Sequence, residues 1–109
     1  MAFDPVLAER LRDHFAGRAE VTEKKMFGGV AFMVRGNMCV GVVKDDLCAR
    51  VGPERFDEHL ARPGARVMDF TKRPMKGWLF VSGDAVAEDD ALAAWVGRCE
   101  DFVRTLPGK

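Results

Sequence analysis

Between Val30 and Val51 the sequence runs VAFMVRGNMCVGVVKDDLCARV, and outside the polar stretches Arg35 to Asn37 and Lys44 to Asp46 nearly every residue is apolar on both parities of a two-residue period. A strand with one face in water alternates apolar with polar side chains, so a ribbon apolar on both sides needs two covers. Turn signals at Gly36-Asn37 and Asp45-Asp46 divide the segment Lys24 to Val51 into three antiparallel strands. Two-residue turns at those positions place Met33 opposite Val40, Ala31 opposite Val42, and Val42 opposite Ala49. One face would then hold Ala31, Met33, Met38, Val40, Val42, Leu47, Ala49 and Val51. The other would hold Val30, Phe32, Val34, Cys39, Gly41, Val43, Cys48 and Arg50. Either helices pack on both sides, or the second face meets another copy or another protein, because large apolar patches are uncommon on monomers. In this register Cys39 and Cys48 stand four residues apart along a strand, about 13 Å, too far for a disulfide.

Helical periodicity flanks this ribbon. Asp4 followed by Pro5 has the form of an N-cap and first helical residue, with Leu7, Leu11 and Phe15 on one face and Gly17 at the end. Gly52-Pro53 opens a short helix carrying Phe56 and Leu60, which Pro63-Gly64 closes. Ala65 to Phe70 and Gly77 to Ser82 are two further strands, joined by the basic turn TKRPMK. Glu88, Asp89 and Asp90 suit the positive end of a helix dipole, and Leu92, Trp95, Val96, Cys99, Phe102, Val103 and Leu106 mark one face of a long helix. The expected fold is a two-layer α+β domain spanning residues 1–109, of order α-β-β-β-α-β-β-α, with a five-stranded antiparallel sheet.

Composition limits function more than it defines it. Lysine and arginine total 17 and aspartate and glutamate 17, so no net field draws the chain to nucleic acid or anionic lipid. The amino end lacks a secretory pattern, and neither half of the longest apolar region can span about 30 Å of hydrocarbon as a helix. A cytoplasmic location and no membrane segment follow as expectations. The three cysteines lack CxxC spacing and read as buried free thiols. With only two histidines beside them, no metal site is expected.

The stretch KKMFGGVAFM, from Lys24 to Met33, raises the question of a phosphate loop. Such a loop leads its glycines into a helix N-terminus, whereas Gly28-Gly29 leads into the strand-like VAFMV, and no Walker lysine follows. The glycines therefore read as a bulge or a close backbone approach, and no cofactor is expected. PMKGWLF repeats the association of lysine, glycine and a large apolar residue. If the two segments lie together, Lys24, Lys25, Lys72, Arg73 and Lys76 would form a basic patch flanked by Phe27 and Trp78, with Gly28, Gly29 and Gly77 shaping it. These ten residues are the candidate binding site. Arg62 to Gly77 carries five basic residues against one acid, while Asp84 to Asp101 carries six acids against Arg98. Solvated surface charge accounts for that asymmetry as readily as a partner does. His14 as a base and Cys48 as a nucleophile are weaker ideas, and no catalytic residue is assigned.

The segments KKMFGGVAFMVRGNMCVGVVKDDLCARV and RPMKGWLFV, followed by the terminal LAAWVGRCEDFVRTLP, together resemble the TfoX/Sxy family, specifically its N-terminal domain. The resemblance covers almost the whole chain. It implies an α+β domain with an antiparallel sheet and no established catalytic activity. Family members in transformable bacteria regulate DNA-uptake competence together with the cyclic-AMP receptor protein. Those regulators carry a further C-terminal helical domain, so the expectation for a sequence ending at Lys109 is a stand-alone N-terminal domain. The resemblance supplies no functional residues. The function it favours is a non-enzymatic interaction module, an accessory to transcription that binds a protein such as the cyclic-AMP receptor protein, with a homodimer as a further option. Direct DNA binding is the weaker form of this reading, since no helix gathers basic residues on one face. The alternative is a small-ligand or anion-binding domain, with or without enzymatic activity, using the Lys/Gly/Trp edge.

Overall fold

The computed structural model describes residues 4–26, 28–67 and 77–108. Its elements, in chain order, are α1 (Pro5–His14), β1 (Val21–Met26), β2 (Gly29–Val34), β3 (Asn37–Val43), β4 (Asp46–Arg50), α2 (Phe56–Leu60), β5 (Ala65–Val67), β6 (Trp78–Val81) and α3 (Asp89–Val103). A 3-10 turn, Gly83–Val86, precedes α3. The α+β class and the three helices agree with the sequence reading. The strand number does not, because the sheet has six strands in the order β1-β2-β3-β4-β6-β5, all neighbours antiparallel. The additional strand is β1, VTEKKM, whose Thr22, Glu23, Lys24 and Lys25 are exposed. An edge strand needs little apolar surface, and charged side chains along it discourage pairing with another chain. Only the first part of the expected strand Ala65 to Phe70 is described; the rest, with the TKRPMK turn, lies outside the described residues.

The register differs from the expected one at both hairpins. Val34 faces Asn37, so the first turn is Arg35-Gly36, with φ of 52° and 82°. Two positive φ values suit the twist of a two-residue hairpin, and glycine accommodates one of them without a Cβ penalty. Asn37 is then free to enter the strand, where its side-chain amide donates to the Pro107 carbonyl across 2.9 Å. Val43 faces Asp46, which makes the second turn Lys44-Asp45. Between β2 and β3 the pairing also shifts: Met33 faces Met38 but Phe32 faces Val40, leaving Cys39 as the extra residue of a bulge.

That bulge reassigns β2. Val30, Phe32 and Val34, expected opposite the Val40/Val42 face, share it, with Leu47, Ala49, Leu79 and Val81. On this side lie Leu7, Leu11 and Phe15 of the α1 region, Phe56 of α2, and Leu92, Trp95, Val96, Cys99 and Val103 of α3. Burying a side chain of this size contributes about 1.5–3 kcal/mol, which makes this layer the main source of stability. Local signals at the helix ends behave as read. Asp4 Oδ1 accepts from the Val6 and Leu7 amides at 2.9 and 3.3 Å, and Asp89 and Asp90 occupy the first turn of α3. The helix layer is further tied by Glu100, 8% exposed, whose carboxylate accepts from Arg18 Nη1 at 2.6 Å and from Arg104 Nη2 at 3.3 Å.

Candidate functional site

The opposite face of the sheet carries a separate apolar cluster: Ala31, Met38, Val43 and Cys48 are buried, and Met33, Trp78 and Phe80 pack partly buried against them. Among the described residues, every member comes from a strand and none from a helix. The pairing explains its shape. Lys24 faces Ala31, Ala31 faces Gly41, Gly41 faces Cys48, Cys48 faces Phe80, and Phe80 faces Arg66. One row thus crosses all six strands, about 24 Å at the usual strand spacing, apolar along its middle, with exposed Lys24 at one end and Arg66 at the other.

Two arginines help to hold the aromatic side chains of this face. The Arg50 guanidinium lies 5.1 Å from the Trp78 ring centroid, and Arg66 lies 5.5 Å from that of Phe80. Arg66 also pairs with Asp46 across 2.7 Å. Burial, the first of its causes, lowers the Arg50 pKa, and Arg50 Nη1 donates to the Met38 carbonyl at 3.4 Å. Beneath these rings burial pushes the Cys48 thiol up to about 12. A thiol so disfavoured as thiolate is a poor nucleophile.

The described members of the predicted site do not converge. Lys24 and Lys25 are both exposed on β1 but point to opposite faces, because one pairs with Ala31 and the other with Val30. Gly29 begins β2 and Trp78 begins β6; β3 and β4 lie between those strands. Gly29 is also level with the Val42/Val43 end of β3, whereas Trp78 faces Arg50 at the far end of β4. Gly29 and Trp78 therefore stand at opposite ends of the sheet. Gly28 turns with φ +74° and no helix follows it. At Gly29 any Cβ would strike the Val42 carbonyl oxygen, so close backbone approach accounts for this glycine. Gly77 has φ +98°, and its carbonyl accepts from the Val51 and Gly52 amides at 2.8 and 3.1 Å. Phe27, Lys72, Arg73 and Lys76 lie outside the described residues.

Sequence reasoning missed Arg66 and Phe80 as parts of this surface. Their membership depends on β5 pairing with β6 at the sheet edge, a non-local fact. It also missed a concavity near His59, Arg98 and Phe102, on the helix side. No group of three or more metal-ligating side chains occurs among the described residues. None of the described helices is long and apolar enough to cross a membrane.

An antiparallel sheet with the described helices on one side and a cluster of methionine and aromatic side chains on the other defines an α+β domain. The chain belongs to the TfoX N-terminal domain family, whose model matches residues 13–103. No curated protein and no solved structure matches it.

Proposed function

We propose that this domain is a non-enzymatic interaction module of transcription regulation, and that it binds its protein partner through the sheet face on which no described helix packs. The observation that supports this is the row from Lys24 through Ala31, Gly41, Cys48 and Phe80 to Arg66, an apolar strip with exposed Lys24 at one end and the Arg66–Asp46 pair at the other. Interfaces place aromatic and methionine side chains at the centre and charges at the rim. The complementary partner therefore offers an apolar centre with an acidic group toward the exposed Lys24. Family membership makes the cyclic-AMP receptor protein the first partner to test.

The test is a calorimetric titration of that receptor, with cyclic AMP present, into wild-type domain and into Met33→Glu and Phe80→Asp variants. Both positions are partly exposed, so both variants should fold. Binding that each substitution weakens by ten-fold or more, about 1.4 kcal/mol, supports the reading. Undiminished binding by both folded variants places the interface elsewhere. No heat with wild-type domain removes this partner.

A further inference from the structure

On the helix side, between α2 and the C-terminal half of α3, lies a cavity of about 430 Å³. Val51 and Phe102 give it apolar wall, and His59, Arg55 and Arg98 give it polar wall. It belongs to neither the sheet face nor the segments singled out in the sequence. Its size falls within the range of small-molecule sites.

The polar wall carries both signs, but its less exposed groups, His59 and Arg98, are a hydrogen-bond donor and a cation, whereas Glu54 and Asp101 are exposed. His59 is 6% exposed, and its Nδ1 accepts from Arg62 Nε at 3.3 Å. That bond assigns the imidazole proton to Nε2. No buried side-chain nitrogen or oxygen among the described residues lacks a partner, and no described hydrogen bond ends on Nε2. Nε2–H is therefore the imidazole group left to serve a ligand in the cavity that His59 lines. The Arg98 guanidinium lies over the Trp95 ring at 4.8 Å and, like Arg55, has no carboxylate at ion-pair distance among the described residues. Glu54 and Asp101 also line the cavity, yet the charges that act on His59 are Arg62, Arg98 and Arg55 against Glu58 alone. A partly buried cation without a counter-ion favours an anion.

From this geometry we infer that the cavity between α2 and α3 binds a small organic anion, its carboxylate or phosphate held by Arg98, Arg55 and the His59 Nε2–H, its apolar or aromatic body against Phe102 and Val51. The inference stands apart from the sheet face, and either can fail without the other.

The probes are phenyl phosphate and benzoate, with inorganic phosphate as the head alone and benzyl alcohol as the body alone. The readout is the ring resonances of His59 by NMR, with His14 on α1 as the internal reference. Phenyl phosphate or benzoate should move His59 saturably and leave His14 in place. Arg98→Gln and the exposed Arg55→Gln should each weaken binding by about ten-fold, while Arg12→Gln on α1 leaves it unchanged. Stronger binding of one probe over the other assigns the head group as phosphate or carboxylate. The inference is overturned if neither probe moves His59 up to millimolar concentration, if both arginine variants bind like wild type, or if benzyl alcohol binds as well as the anions. Inorganic phosphate binding as tightly as phenyl phosphate would remove the apolar body from the assignment.

Discussion

Cys39 and Cys48 lie on adjacent strands only two positions out of register, since Gly41 faces Cys48, yet they belong to opposite faces of the sheet. The bulge at Cys39 causes this by turning Cys39 and Val40 toward the same helix-covered side. Burial pushes both thiols up to about 12.

From that arrangement follows the first prediction. In native protein at pH 8 about one thiol in ten thousand would be ionised, so neither cysteine should react with iodoacetamide within an hour. Cys99, whose pKa burial also raises well above the ordinary thiol value, should behave likewise. Mass spectrometry should find three labels after denaturation and none before it. Rapid native labelling of Cys48 would restore the case for a nucleophile.

Two glycines test the packing in opposite directions. A Cβ added at Gly97, inside α3, would meet nothing within 4 Å, so Gly97→Ala should stabilise by roughly 0.5–1 kcal/mol. Gly29→Ala drives a methyl into the Val42 carbonyl and should cost roughly 1–3 kcal/mol, or more if the strands cannot separate. Urea unfolding of both variants measures the contrast. A neutral Gly29→Ala would mean that β2 and β3 approach less closely than described.

Glu100 accepts from both Arg18 and Arg104 while 8% exposed. Glu100→Ala leaves the partly buried Arg18 without its shortest bond, and hydrogen bonds to charged groups contribute about 1.5–3 kcal/mol. The loss should lower the thermal midpoint by about 8–15 °C for a chain of this size. A midpoint within about 2 °C of wild type would show that water serves Arg18 equally well.

His59 supplies a pH dependence. Burial first, then Arg62, holds its pKa below the ordinary value of 6.5. The unfolded chain therefore takes up the proton at higher pH than the folded one, so stability is complete above about pH 6.5 and declines as pH falls toward the folded-state value. The His59→Gln variant should show a flatter stability curve between pH 7 and 5 than wild type. Equal slopes would mean that His59 titrates alike in both states.

The local features of the fold were legible, and the non-local ones were not. Asp4-Pro5, the acidic start of α3 and the two-sided apolar ribbon each carry their signal within a few residues, and each is present in the structure. The register was not readable because a positive φ at Arg35 is a rare choice, and because nothing in MCV announces a bulge. β1 was hidden by the charges that make a good edge strand. For the site, proximity in sequence misled. Lys24 and Lys25 diverge by the period of two, while Lys24 and Arg66, far apart in sequence, terminate the same row.

The central claim is that the partner covers the sheet face on which no described helix packs, and methyl NMR of the complex tests it most directly. With methionine and valine methyls labelled, adding the cyclic-AMP receptor protein should broaden or shift Met33, Met38 and Val43 and leave Val96 and Val103 of α3 unmoved. Perturbation confined to the helix side, with Met33 and Met38 unchanged in a complex that demonstrably forms, would contradict the account.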